Sequence, residues 1–370
     1  MSEINIGLEG VVVAETQIAK VDGLKGQLVY RGYNIQDLIE GSCYEDVAYL
    51  LCKGHKPSPE ESRKFKKELA QRRFLPPHVK KVLESLPKNF NCMAALRTGL
   101  SALSLEGEEW PPLLEQGMDI IAKTPTIIAH FYSHAKDKKP IEPDSTLGHT
   151  ENYLYMIQGK KPDPVLVKAL DAYLIIGADH GMNASTFTAR VVSSTRSDMI
   201  SAVTAAIGAM KGPLHGGAPS EVDDMLDEIK TISRVEPWIR AKLEIGERIM
   251  GFGHRVYKTY DPRAAVLKKI VKTMPSQANE QLALSLEVEK SAIKLLEEYK
   301  PGRHLYPNVE FWAAAILRTV ALPRELYSPT FTVSRSVGWV ANILEQAENN
   351  RLIRPSADYI GITPPMPKEK

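Results

Sequence analysis

The chain has 370 residues, 25% charged and 43% apolar, with a formal net charge of +2. That length exceeds what one ordinary core holds, so two domains are expected. The near-balanced charge, with no block of like sign, excludes a basic nucleic-acid binder and leaves room for local basic pockets that hold small anions.

The opening stretch, MSEINIGLEG, carries two acids and no apolar run, so no secretory signal is expected. Residues 26–30 alternate apolar and polar, as one arm of a short hairpin would. Helix is predicted over 60–73, 165–176, 198–211, 236–247, 264–272, 281–299 and 334–346, where apolar residues recur at three- and four-residue steps. Pro76-Pro77, Pro111-Pro112, Pro162 with Pro164, Gly212-Pro213 and Pro301-Gly302 punctuate these patterns. The reading is a mainly α chain without a strand–helix rhythm. The nearest approach to the ~18 apolar residues of a membrane span is Phe311 to Leu322, which Arg318 breaks. Cys43, Cys52 and Cys92 form neither a C-x-x-C pair nor an even set, so a reduced cytoplasm is expected and a disulfide framework is not. The tail, 363–370, reads as an extended arm.

Four stretches place polar residues among glycines where a packed core would not want them. They are Ala178-Asp179-His180-Gly181-Met182-Asn183, Gly212-Pro213-Leu214-His215-Gly216-Gly217, Gly251-Phe252-Gly253-His254-Arg255 with Asp261-Pro262-Arg263, and Pro307-Asn308-Val309-Glu310. Glycine lets a ligand approach the backbone, and histidine moves protons near neutral pH. Taken singly, each histidine reads as well as a hydrogen-bonded structural residue. Arg263, Arg335 and Arg354 suit a substrate with two or three carboxylates, because guanidinium forks bind carboxylates bidentately; singly, each reads as a surface ion pair. The spacing of His180, His215 and His254 matches no metal motif, and Gly251-Phe252-Gly253 lacks the rest of a dinucleotide or P-loop signature.

Together the ordered set G-P-L-H-G-G, G-F-G-H-R-V-Y, D-P-R, P-N-V-E, V-S-R and R-P resembles the citrate synthase family in its shorter bacterial and archaeal form, over nearly the whole chain. The resemblance implies a two-domain helical homodimer with active sites shared between subunits. Residues 1–215 and 324–370 would form a large domain, and 216–323 a smaller mobile one inserted into it. It implies condensation of acetyl-CoA with oxaloacetate and hydrolysis to citrate, the thioester being a substrate and no cofactor or metal being needed. Two alternatives are 2-methylcitrate synthase, using propionyl-CoA, and a catalytically weak paralogue that binds citrate or acyl-CoA. By resemblance His215 stabilises the thioester enolate, His254 polarises the oxaloacetate carbonyl, and Glu310 is the base. His180, Arg263, Phe331, Arg335 and Arg354 would meet oxaloacetate, Arg354 across the dimer. Ile249, Met250, Gly251, Phe252 and Gly253 would cradle coenzyme A, with Lys258 and Arg303 on its phosphates. Three features depart from the pattern: Glu310 stands where the family usually has aspartate, Ala313-Ala314-Ala315 after the Phe311-Trp312 pair lacks the expected small hydroxylated residue, and Gly177 stands where the family often has histidine.

Overall fold

In the computed structural model, residues 4–362 are described except 105, 108, 217, 255, 256, 258 and 275–278. Lys258 and the tail 363–370 therefore lie outside the described residues. Three short strands, β1 (Ala19–Asp22), β2 (Gln27–Tyr30) and β3 (Tyr33–Asn34), pair antiparallel in that order. Helices follow: α1 (Ile35–Gly41), α2 (Tyr44–Lys53), α3 (Pro59–Gln71), α4 (Pro77–Glu84), α5 (Cys92–Ser101), α6 (Leu114–Ala135), α7 (His149–Gln158) and α8 (Pro164–Gly177). The second half carries α9 (Ala184–Ser194), α10 (Met199–Met210), α11 (Ala218–Ile229), α12 (Val235–Glu244), α13 (Pro262–Val271), α14 (Asn279–Tyr299), α15 (Val309–Thr319) and α16 (Tyr327–Glu348). The fold is mainly α, and among the described residues no helix is long and apolar enough to cross a membrane.

The core is organised around α16, which packs against α9, α6, α8, α10 and α2. It is buried on nearly every side, so its polar residues must be satisfied within the protein. Thr330 donates to the Leu326 carbonyl at 2.6 Å and Ser334 to the Leu174 carbonyl at 2.6 Å. α16 begins at Tyr327, two turns before the predicted 334, and Pro329 sits in its first turn, where a missing N–H costs nothing. By contrast α12 stops at Glu244, short of the predicted 247, because Gly246 turns the chain at φ +78°. α11 to α15 pack largely on one another, with α13 and α15 also meeting α8.

The small sheet has a specific structural task. Tyr30, fully buried at the end of β2, accepts from the Asp179 N–H at 3.0 Å. Its hydroxyl faces the carbonyls of Ile176 at 2.9 Å and Asp179 at 2.7 Å, to one of which it donates. This ties the sheet to the turn that follows α8. From the other side α16 presents Gly338, where an added Cβ would overlap the Ala178 carbonyl oxygen and lie 2.8 Å from Asp179 Oδ2. Gly338→Ala is therefore expected to cost about 1–3 kcal/mol by overpacking, read as a lower urea midpoint; an unchanged midpoint would mean that the turn moves freely.

Candidate active site

The turn after α8 is built by Asp179, whose Oδ1 accepts from the Gly181 N–H at 2.7 Å while Oδ2 accepts from Asn342 Nδ2 at 3.0 Å. Burial pushes this carboxyl up to about 6, against the pull of Arg335 and Arg190. Asn183 then caps α9 by accepting from the Thr186 N–H at 3.1 Å. His180 is thereby fixed between the helices, with Nε2 3.2 Å from the Tyr257 hydroxyl and its ring edge-on to His254 at 5.7 Å. Burial, then the charges of Arg263 and Arg335, hold His180 well below the usual imidazole range.

His215 stands in the turn that ends α10, held where the Ser328 hydroxyl donates to the Gly216 carbonyl at 2.7 Å. Its Nε2 lies 2.8 Å from Ser185 Oγ. Ser185 also accepts from the Trp339 indole N–H at 3.0 Å and lies 2.8 Å from Asn183 Oδ1, so its one proton goes either to Asn183 or to His215. When Ser185 donates to His215, the neutral ring carries its proton on Nδ1. Phe331 meets His215 edge-on at 6.3 Å, and the Arg335 guanidinium lies 4.9 Å from the Phe331 ring centre. Arg335 is itself anchored by donating from Nε to the Gly177 carbonyl at 2.6 Å. The glycine at 177 fits this packing, since a Cβ there would overlap Ser334 Oγ. Burial and Arg335 lower the His215 pKa to about 4.

The opposite wall comes from α13 and α15. Asp261 caps α13, accepting from the Arg263 N–H at 3.0 Å, Nε at 3.0 Å and Nη2 at 2.9 Å. It also accepts from the Val309 N–H at 3.0 Å, which fixes the start of α15. His254 Nδ1 accepts from the Tyr257 N–H at 3.0 Å, so the neutral ring carries its proton on Nε2. That atom lies 3.2 Å from Arg263 Nη2, and two donors so placed suit a shared anionic oxygen. Glu310, one residue into α15, receives the Asn308 cap on its N–H at 3.0 Å. Desolvation and the nearby Asp261 raise its carboxyl to about 7, against Arg263 and Arg335.

Residues 249–253 run antiparallel to 306–308. Gly253 N–H donates to the Tyr306 carbonyl at 2.8 Å, Asn308 N–H to the Gly251 carbonyl at 2.9 Å, and Asn308 Nδ2 to the Gly253 carbonyl at 2.9 Å. Gly251 and Gly253 sit at φ +80° and +84°, where a side chain would be strained. The loop holding Ile249, Met250 and Phe252 is thus one unit with the turn that presents Glu310.

The structure therefore brings together His180, His215, His254, Arg263, Glu310, Phe331 and Arg335. Arg354, on the segment after α16, and Arg303, in the loop before α15, are exposed in the single chain. Ser185, Trp339, Tyr257 and Asp261 act here without having been singled out individually. For Asp261 a signal existed, since Asp-Pro is the usual start of a capped helix.

A family model described as "Citrate synthase, C-terminal domain" matches residues 7–356. The chain is 42% identical to a citrate synthase of Haloferax volcanii, covering 97% of this chain and 96% of that one. It is 38% identical to a 2-methylcitrate synthase of Shewanella oneidensis, covering 97% and 95%. A solved ternary complex of carboxymethyl coenzyme A and oxaloacetate with citrate synthase from Thermoplasma acidophilum matches with a TM-score of 0.90 at 31% identity, covering 98% of each chain.

The geometry makes a spectroscopic prediction. The His215 ring should titrate near pH 4 in the folded protein, followed by its side-chain NMR signals. Titration between pH 6 and 7 would mean that the ring is solvated and not held neutral by Arg335.

Proposed function

The chain belongs to the citrate synthase family, and we propose that it condenses acetyl-CoA with oxaloacetate through Glu310, His215 and His254. The observation that carries this reading is a carboxyl raised to about 7 on α15, in electrostatic reach of the two arginines, Arg263 and Arg335, that also border His254 and His215. Ionised Glu310 removes a proton from the thioester methyl group, and the electron pair passes to the carbonyl oxygen, where neutral His215 donates. The enolate carbon attacks the oxaloacetate keto carbon, whose developing oxyanion is hydrogen-bonded by His254 Nε2–H and ends with the proton that Glu310 removed, so that base and ring are both restored. Water then cleaves the thioester to citrate and coenzyme A. This sequence needs neither a metal nor a redox group. Arg263 and Arg335 hold the substrate carboxylates, His180 and Phe331 complete that pocket, and the 249–253 loop takes coenzyme A. Lys258 and Arg303 remain its proposed phosphate partners.

The working unit is proposed to be a cytoplasmic homodimer in which Arg354 enters the neighbouring site. Its exposure supports this, as do the exposed apolar residues of both termini, among them Ile6, Val12, Tyr359 and Ile360. Residues 216–323 would move as the smaller domain, a division supported by the mutual packing of α11 to α15. Closure over oxaloacetate would exclude water until hydrolysis. Turnover of propionyl-CoA is the second reading, favoured by the Shewanella relative.

Free-thiol release from acetyl-CoA and propionyl-CoA, with and without oxaloacetate, tests the assignment; release independent of oxaloacetate would refute it. Glu310→Gln should lose about 10²–10⁴-fold in kcat while still binding oxaloacetate. In the unmodified enzyme kcat/KM should climb with pH and level off above about 7, as the Glu310 carboxyl ionises; a flat profile from pH 5 to 8 would place the base elsewhere. Mixing Arg354→Ala and His254→Ala subunits should regain activity, because one site of each mixed dimer has both residues. Mixed dimers as inactive as either parent would remove Arg354 from the partner's site.

A further inference from the structure

Glutamate differs from aspartate by one methylene, ~1.5 Å of reach for a carbon–carbon bond. A backbone free to withdraw by that distance would absorb the change. Here the segment is fastened on every side. Asn308 donates through its N–H to the Gly251 carbonyl at 2.9 Å and through Nδ2 to the Gly253 carbonyl at 2.9 Å. Val309 N–H is held by Asp261 at 3.0 Å and Glu310 N–H by Asn308 at 3.0 Å. Behind the turn, Phe311 is fully buried, and a Cβ added to Gly251 would lie only 2.9 Å from the Phe311 Cβ. α15 is further wedged among α13, α11 and α8. Retreat of its first turn would drive Phe311 into the 249–253 loop.

With the turn held in this position, the extra methylene takes up room on the side of α15 that the Glu310 carboxyl shares with Arg263 and Arg335. An extended side chain advances the carboxylate; a folded one leaves the carboxylate back and places the methylene beside it. In either case the space before α15 shrinks by about one methylene. On the α16 side His215 is tethered to Ser185 and edge-packed on Phe331, and Phe331 and Arg335 belong to the buried helix α16.

One methylene is also the difference between an acetyl and a propionyl thioester. We propose that Glu310 sets acyl-chain length, its longer side chain filling the volume that the second carbon of a propionyl group would need and making the enzyme selective for acetyl-CoA. This rests on the reading that the thioester methyl group lies between Glu310 and His215. A single methylene in an apolar pocket is worth about 10–200-fold in discrimination, so Glu310→Asp is expected to shift the preference toward propionyl-CoA by about 10-fold or more.

The test separates volume from proton transfer. Unreactive coenzyme A ketones carrying a methyl or an ethyl group in place of the thioester acyl group are titrated calorimetrically with oxaloacetate bound. The unmodified enzyme and Glu310→Gln, which have the same side-chain length, should both favour the methyl ketone by about 10-fold or more. Glu310→Asp should lose most of that preference. An unchanged preference in Glu310→Asp, or a preference lost equally in Glu310→Gln, overturns the proposal. Turnover is scored separately: near-normal thiol release by Glu310→Gln would refute Glu310 as base and leave the binding comparison to decide chain-length selection.

Discussion

The carboxylate of Asp261, almost wholly buried at the start of α13, accepts from the backbone, Nε and Nη2 of Arg263 and from the backbone N–H of Val309. A carboxylate removed from water is costly unless hydrogen-bonded, and a fork partner supplies the strongest compensation. With both oxygens engaged in this way Asp261 fixes the Arg263 guanidinium and the first turn of α15 in one frame. His254 is set against that guanidinium, the 249–253 loop is laced to the same turn through Asn308, and Glu310 follows one residue later. Glu310, Arg263 and the 249–253 loop, the proposed base, anion ligand and coenzyme cradle, are thereby mutually positioned.

The two walls have different electrostatic characters. On the α8, α9 and α16 side, burial keeps His215 and His180 neutral, helped by the charge of Arg335 at His215 and of Arg263 and Arg335 at His180, so each has one proton to place and its hydrogen-bond partners decide where. On the α13 and α15 side, desolvation and a neighbouring carboxylate raise Glu310 toward neutrality. A carboxylate whose conjugate acid is near the working pH is a stronger base than an exposed one. The arginines oppose that rise, and they also keep an ionised form accessible.

The helical character of the fold and the pieces of the site were legible in the sequence because amphipathic periods and glycine-flanked histidines are local signals. The predicted 60–73, 165–176 and 281–299 segments lie within one or two residues of α3, α8 and α14. What escaped was non-local. α15 is wholly apolar from Phe311 to Leu317, so no face stands out within that run until its neighbours are known. α6 runs through Pro125, which reads as a break in sequence. The role of Tyr30 in seating the His180 turn depends on a contact 149 residues away. Ser185 looks like an ordinary helix-start serine until Trp339 and His215 arrive beside it. Arg354 could be chosen from its motif, and in a single chain it is exposed.

A double-mutant cycle between Asp261→Asn and Glu310→Gln tests most directly whether Asp261 positions the base. If it does, Asp261→Asn misplaces the α15 turn and lowers kcat by about 10²-fold or more, and adding it to Glu310→Gln costs little further, because a side chain that no longer accepts a proton gains nothing from placement. Losses that multiply in the double variant would show that Asp261 and Glu310 act independently, and would contradict the account.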